Sequence, residues 1–385
     1  MTHASTVVAF LERHHVELTA VLEAFVTERL APLEPATDDE AARTQARQIV
    51  ELLGSAGIAR YAVPAADGRI DLRACCLIRE ALAGVSPLAD SVFALQALGS
   101  MPIALAGSTE LRERWLPAVA EGRAIAAFAM TEAEAGSDVG SMTTRAVRDG
   151  DDYVLDGSKH LITNAGVADF YTVFAKTDPE AGSRGVSSFV VPADAAGLRF
   201  VRPQVLSEPH PLGEIAFEEC RVRATARLGG EGDGFKIGMR TLDRLRATVA
   251  AAANGMATRA LAEATAYALQ RRQFGKPLAD QQLTQQKLAR MATDLDAARL
   301  LTFRAAWEAD RGAERVTREA AMAKLFATEA AQRIVDDAVQ IHGGRGVVDD
   351  HIVDRLYRAV RALRIYEGAS EVQHLVIARE VLGDG

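Results

Sequence analysis

One carboxylate near the C-terminus has the surroundings of a working base. Glu367 stands in the stretch RIYEGASEVQ, residues 364–373, between Tyr366, whose ring can wall a cleft, and Gly368, which leaves backbone room for another molecule to approach. A lone glutamate near a helix end is ordinarily solvated, so its company decides what it does. Upstream, in order, come AFAMTEAEAGSDVGS from Ala127, GSKHLITNAG from Gly157, LQRRQFGKP from Leu269 and QIHGGRG from Gln340. These supply backbone and hydroxyl donors at Thr131, Gly136, Ser137 and Thr163, a guanidinium at Arg271, and the pair Gly343 and Gly344. Such donors suit the hydrogen-bond-accepting edge of a heterocycle, and a guanidinium fork suits paired phosphate oxygens. Plainer readings exist: a Gly/Ser turn for the first segment, and a helix C-cap for Gly343 and Gly344.

Taken together, in this order and from about Ala81 to Leu382, the segments resemble the acyl-CoA dehydrogenase family of flavoenzymes. The resemblance implies α,β-desaturation of a saturated acyl-CoA thioester, with FAD as hydride acceptor and electron-transfer flavoprotein as the next electron carrier. An α-C–H is a weak acid, so its base must be held in line, and burial usefully raises the base's pKa. Glu367 is the base that the family pattern offers. Some branches place it on the helix matching residues 240–256, but there this chain has Leu245, which cannot take a proton. On the substrate side the resemblance assigns Asp243, Arg246, Tyr366, Gly368 and Ser137, although Arg246 alone would read as an exposed helix arginine.

For the cofactor, the resemblance assigns Phe128, Met130, Thr131, Gly136 and Ser137 to the flavin edge, Thr163 to the region of N5, and Leu161 to the flavin's open face. Arg271, Gln340, Gly343 and Gly344 are expected at the pyrophosphate, with Gln273, Phe274 and Gln281 along the adenosine half of a neighbouring subunit's FAD. Ala369 and Glu371 follow the base on the cofactor side. No G-x-G-x-x-G after a strand marks a Rossmann site. Three departures from the family pattern stand out. Leu161 replaces the usual tryptophan, Ala369 replaces a threonine (with Ser370 beside it), and SEPHPLGEIAF sets His210 between Pro209 and Pro211. A His between prolines reads as a rigid loop, or as the mark of a subgroup with an unusual acyl group.

The elements that must position these residues follow a helix, strand, helix order. Residues 1–125 show helical spacing, for example Leu77, Ile78, Leu82 and Val85, with Pro32, Pro35, Pro64 and Pro87 as punctuation. Residues 126–227 read as a compact β domain: DDYVLDGSKHLITN as two strands turning at Asp156-Gly157, then FYTVFAKTD, GVSSFVVPAD, LRFVRP and EIAFEECRV. Residues 228–385 return to helix, with stripes at Leu288, Met291, Leu295 and Ala298 and at Met322, Leu325 and Phe326. This gives an α+β multidomain protein. The resemblance sharpens it to a helical N-terminal domain, a small β barrel or sandwich, and a C-terminal four-helix bundle.

The 385 residues are about half hydrophobic and a quarter charged, ordinary globular composition for two or three structural units. A formal charge of −8 argues against a nucleic-acid surface. Cys75, Cys76 and Cys220 can form neither a disulfide framework nor a metal-ligand set, so they are expected as small buried apolar residues. No apolar run is expected to span a membrane, and the early Glu12, Glu17 and Glu23 fit no targeting segment, so a cytoplasmic protein is expected. Homo-oligomerisation follows from the shared cofactor site, as a tetramer built from two dimers. The alternatives are an acyl thioester oxidase or flavin monooxygenase on the same fold, a dehydrogenase for a carrier-protein thioester, and a non-catalytic helical oligomer.

Overall fold

A computed structural model describes residues 6–65, 68–313 and 315–383. Its helices are α1 (Arg13–Phe25), α2 (Asp39–Ser55), α3 (Leu72–Ala83), α4 (Pro87–Ala106), α5 (Thr109–Ala120), α6 (Gly234–Gln270), α7 (Gln282–Asp310), α8 (Thr317–His342), α9 (Ile352–Leu363) and α10 (Ser370–Leu382). Its strands are β1 (Ala126–Ala129), β2 (Arg145–Asp149), β3 (Asp152–Thr163), β4 (Phe170–Lys176), β5 (Val186–Pro192), β6 (Leu198–Pro203), β7 (Leu212–Arg223), β8 (Arg227–Leu228), β9 (Arg272–Gln273) and β10 (Lys276–Pro277). The chain divides into two compact units. The first takes in the chain to Leu33, Leu72–Asp90 and the chain from Asp243; the second takes in Glu34–Asp71 and Ser91–Leu242.

In the first unit, α6, α7, α8 and α9 pack around an interior dominated by alanine, which includes Ala250, Ala253, Ala257, Ala260 and Ala264 of α6 and Ala320, Ala323, Ala327 and Ala331 of α8. Buried alanines, rather than the expected Met322, Leu325 and Phe326, make the α8 stripe; those three are only half-buried. Small side chains let helix backbones approach closely. A Cβ on Gly255 of α6 would lie 2.2 Å from the Glu80 carbonyl oxygen of α3, and one on Gly84 would lie 3.2 Å from the Gly255 carbonyl oxygen. The N-terminus of α3 is answered by Asp310, the last residue of α7. Its carboxylate accepts from the backbone N–H groups of Leu72 (2.9 Å) and Arg73 (3.1 Å) and from Arg73 Nε (2.7 Å).

The second unit holds one mixed sheet in the order β6-β7-β3-β2-β4-β5-β8, with β1 paired parallel to β4. Two side chains place β1. Gln96 of α4 accepts from Ala126 N–H (2.7 Å) and donates to the Ala124 carbonyl (2.7 Å), and Asn164 Nδ2 donates to the Ala126 carbonyl (2.9 Å). The expected turn at Asp156-Gly157 lies instead inside one long strand, β3, opposite a bulge in β7: the register steps from Leu155↔Cys220 to Gly157↔Phe217, so that Glu218 and Glu219 face the single Asp156. Asp156 accepts from Glu219 N–H (2.8 Å), and Gly157, at φ +140°, leaves no room for a side chain, since a Cβ there would sit 2.8 Å from Thr144. Pairing with β2 on one side and β7 on the other decides for the strand.

One expectation needs correction. The twenty-residue α4 is long and apolar enough to cross a membrane by length and composition, but 83% of that stretch is buried inside the protein, as in a core helix. All three cysteines are buried and free of disulfides. The close α3–α6 crossing gives the first prediction. Gly255→Ala forces the two backbones apart and should cost about 2 kcal/mol, the usual range for overpacking. Urea denaturation should show a lower midpoint with unchanged slope.

Candidate active site

Glu367 lies in the turn between α9 and α10. It takes φ +52° and the following Gly368 takes φ +93°, two successive left-handed residues, a conformation natural for glycine and strained for glutamate. The turn is tied from below. The Gly368 carbonyl accepts from Lys324 Nζ (2.7 Å) and from Gln373 Nε2 (2.9 Å), and Ser370 N–H donates to the Arg364 carbonyl (3.1 Å). Arg364 Nε (2.8 Å) and Ser370 Oγ (2.6 Å) both donate to Glu329 of α8. The Glu367 side chain is held so that Oε2 is sealed from solvent with no hydrogen-bond partner among the described residues.

A cage of charge surrounds that carboxyl. Desolvation pushes the Glu367 pKa up, and Asp90 adds to this, while Arg79, Lys324 and Arg246 oppose it. Arg79 is fully interior and forms a bidentate pair with Asp90 (2.7 and 2.9 Å), with its remaining nitrogen donating to Thr248 Oγ1 (2.9 Å). Arg246 donates to Asp243, whose other oxygen accepts from Thr317 Oγ1 (3.1 Å); the Arg246 Nε is buried and unpartnered among the described residues. Lys324 is completely buried, and desolvation takes it down to about 8. The Tyr366 ring is partly exposed, yet desolvation of its hydroxyl pushes the phenol up, opposed by Arg79. A carboxyl that pays for desolvation yet faces cations can be ionised while remaining eager for a proton.

In the second unit the predicted cofactor residues cluster at the end of β1. Met130 is buried, Phe128 and Thr131 are half-buried, and Gly136 and Ser137 are exposed. Beneath them lies an ion pair that sequence reasoning missed. Lys159 of β3 is completely buried and donates to Glu132 (2.8 Å) and to the Met130 carbonyl (3.2 Å). Glu132 also accepts from the backbone and hydroxyl of Thr143 (2.6 and 2.9 Å) and of Thr144 (3.0 and 2.5 Å). Its carboxyl lies at about 2 although burial acts to raise it, because Lys159 and these donors outweigh the desolvation; Lys159 is brought down by burial to about 8. The Thr131 carbonyl accepts from His160 N–H (2.9 Å). Leu161 is 50% exposed at φ +56°, its N–H donating to Gln204 (2.6 Å), and Thr163 ends β3 half-buried. His210 lies part-buried, with Asp39 and Arg43 of α2 nearby and a pKa lowered by burial.

The remaining predicted residues of the first unit gather elsewhere. Arg271, Gln273 and Phe274 sit on the exposed β9–β10 hairpin, turned by Phe274 at φ +53° and Gly275 at φ +81°. Tyr267 of α6 stacks on His342 of α8 at 4.4 Å, so the hairpin stands at the same end of the bundle as Gln340, Gly343 and Gly344. Lys324, under the base, and Gln340 are both on α8, sixteen residues or roughly 24 Å apart at the helical rise. Glu367, Ala369, Glu371, Asp243 and Arg246 therefore form one group, and Arg271, Gln273, Phe274, Gln281, Gln340, Gly343 and Gly344 another that does not join it. The second group suits a polyphosphate and nucleoside. Gln281 Nε2 is a buried donor without an acceptor among the described residues, and nothing lies within 4 Å of a Cβ built on Gly343, Gly344 or Gly136.

Arg79, Asp90 and Lys324 were not foreseen. A signal was available: each is a charged residue in phase with a buried face, Arg79 in a helix where every residue but Ala81 is buried, and Lys324 between Ala323 and Ala327.

Three family profiles match the chain in succession: the acyl-CoA dehydrogenase N-terminal domain over residues 12–123, the middle domain over 127–220 and the C-terminal domain over 232–382. The helical, sheet and helical parts define an oxidoreductase of the acyl-CoA dehydrogenase fold. This chain belongs to the acyl-CoA dehydrogenase family. It is 38% identical over 377 residues to the probable acyl-CoA dehydrogenase FadE25 of Mycobacterium tuberculosis, covering 97% of this chain and 96% of that one. The structure of butyryl-CoA dehydrogenase from Megasphaera elsdenii superposes with a TM-score of 0.90 at 33% identity, covering 97% and 99% of the two chains. A glutaryl-CoA dehydrogenase from Mycobacterium smegmatis in complex with FADH2 gives 0.87 at 29% identity, covering 97% and 96%.

The Glu132–Lys159 pair generates the second prediction. Glu132→Gln strands a buried ammonium and should cost about 3 kcal/mol, whereas adding Lys159→Met to it should recover part of that loss. Because the folded Glu132 carboxyl lies at about 2, below its ordinary value, its contribution is complete above the ordinary carboxylate range and fades as pH falls towards 2. Denaturation at stepped pH should show this acid-side loss in the wild type and a shallower one in Glu132→Gln.

Proposed function

We propose that the chain desaturates a saturated acyl-CoA thioester between Cα and Cβ, with FAD as its cofactor and Glu367 as the base. The observation that carries this is the Glu367 Oε2, buried, without a hydrogen-bond partner among the described residues, and within the field of Arg79, Lys324 and Arg246. Glu367 takes the α-proton, and the electron pair of that C–H bond becomes the Cα=Cβ double bond as the β-hydrogen leaves as hydride. Bound FAD supplies the hydride acceptor. Desolvation makes the carboxylate a stronger base than one in water, and the surrounding cations keep it ionised until the substrate arrives. Asp243 and Arg246, locked to each other and to Thr317, offer polar contacts on the thioester side. Met130, Thr131, Ser137 and Thr163 would hold the flavin edge, with the Glu132–Lys159 pair fixing the segment that carries them. Electron-transfer flavoprotein is the reoxidant that the family resemblance supports.

The roughly 24 Å along α8 between Lys324 and Gln340 gives the assembly its logic. Arg271, Gln281, Gln340 and the Gly343-Gly344 turn stand too far from the base to complete the same reaction centre. They are assigned to the FAD of a second copy, which makes the enzyme a closed homo-oligomer, a tetramer of two dimers.

A second reading has its own observation. Leu161 leaves the position where the family sets tryptophan half open, which favours access of oxygen to a reduced flavin and therefore an oxidase. Anaerobic reduction by acyl-CoA followed by mixing with air or with electron-transfer flavoprotein separates the two: reoxidation by oxygen at the rate of turnover moves the assignment to the oxidase.

Glu367→Gln should keep FAD and bind acyl-CoA while losing about 10²–10⁴-fold in the rate of flavin bleaching. Bleaching at near the wild-type rate would place the base elsewhere. Arg271→Ala should lower FAD content and weaken the oligomer together, because a cofactor shared across subunits stabilises the assembled state by mass action. Light scattering and flavin absorbance on the same fractions check this, and a fully flavinated monomer would refute the shared site.

A further inference from the structure

We infer that Lys324 is a positioning residue for the base: through the Gly368 carbonyl it fixes the left-handed turn that carries Glu367, and through its charge it keeps the Glu367 carboxyl in the proton-accepting form. The inference rests on the reading of Glu367 as the base.

A buried ammonium is costly, and a purely structural clamp here does not need one. The Gly368 carbonyl already accepts from Gln373 Nε2 at 2.9 Å, so an apolar residue at position 324 would leave it satisfied. Lys324 is nonetheless completely buried, on the alanine face of α8, and adds its own hydrogen bond to that carbonyl at 2.7 Å. The other cations around Glu367 have partners of their own: Arg79 is spanned by Asp90 and Arg246 is held by Asp243. Lys324 forms no ion pair among the described residues, and Glu367 heads the anions whose field it feels, ahead of Glu329 and Glu371, with Arg246 opposing. Around the carboxyl stand Arg79 from α3, Asp90 from α4, Arg246 from α6, Lys324 from α8 and Tyr366 from the turn itself. Of these cations, Lys324 is the one whose charge is left for Glu367 to answer.

The geometry adds a second role. Glu367 at φ +52° persists only where its surroundings over-determine it. Lys324 grips the residue next to it, so the ammonium sets both the direction of the carboxyl and its charge state. When Glu367 takes a proton it becomes neutral, and the Lys324 charge then stands uncompensated, which favours release of that proton once product has left.

The test uses the FAD-loaded enzyme. The carboxyl stretch that Glu367→Gln removes from the infrared spectrum is titrated in wild type, Lys324→Met and Lys324→Arg, alongside the acid limb of kcat. Lys324→Met should move both midpoints up by about one pH unit or more, the shift expected on losing an opposite charge nearby. KM and flavin content should change less than about two-fold, since the thioester contacts of Asp243 and Arg246 are untouched. Lys324→Arg, which keeps the charge, should leave both midpoints near wild type. If Lys324→Met fails to fold, Lys324→Gln, which keeps a donor and drops the charge, replaces it with the same expected shift. Midpoints at the wild-type value in a folded Lys324→Met or Lys324→Gln overturn the inference while Glu367 stands as the base. Retained turnover in Glu367→Gln overturns the reading of the base, and this inference with it.

Discussion

Close approach of helix backbones is the constraint from which the catalytic end of this protein follows. Buried alanines of α6 and α8, and glycine where α3 crosses α6, make a tightly packed interior. A charged group placed there must be answered by its immediate neighbours, since the solvent that would screen it is absent. Arg79 is answered by Asp90 and Thr248, and Arg299 of α7 by Glu80 and Thr258, each a hydrogen-bonded pair inside the bundle. Glu367 and Lys324 are the exceptions: neither makes an ion pair among the described residues, and they lie on either side of the Gly368 peptide. A reactive carboxyl is in this sense what remains when every other buried charge has been matched.

The second unit solves a related problem by another route. Its sheet supplies backbone pairing, but the segment after β1 leaves the sheet and must be held in place without a ladder. Glu132 collects five donors from Thr143, Thr144 and Lys159, and so ties the end of β1, the start of β2 and the middle of β3 to one carboxylate. The bulge in β7 at Glu218 and Glu219 faces β3 at Asp156, three residues before Lys159. Loop residues offered to a cofactor edge are thereby held by a charged knot of the kind that rigidifies when fully satisfied.

Much of this was legible in the sequence, and the rest was hidden for reasons particular to each residue. The strands Phe170–Lys176 and Leu198–Pro203 were readable because apolar runs ended at Gly, Pro and Asp. Asp156-Gly157 misled because a hairpin dipeptide can also lie within a strand opposite a bulge of its partner, and only the partner strand distinguishes them. Glu132 and Lys159 both lie inside motifs singled out for their donors, yet a pairing across 27 residues leaves no local periodicity. Arg79 and Lys324 were passed over because a stripe is read from its apolar members, and a charge in phase with the stripe looks like a flaw in it. The separation of Gln340 from the base was hidden because it follows from helix length only once Lys324 is known to lie under Glu367.

The alanine interior has one more implication, in conformational entropy. Alanine has no rotamers to lose on folding, so burying it releases little hydrophobic free energy but costs almost nothing in side-chain freedom. Such an interior has correspondingly less capacity to repack, because its alanines offer no alternative rotamers through which a disturbance could be absorbed. Along α8, where Ala320, Ala323, Ala327 and Ala331 line the core, a displacement at one end meets few side chains able to absorb it.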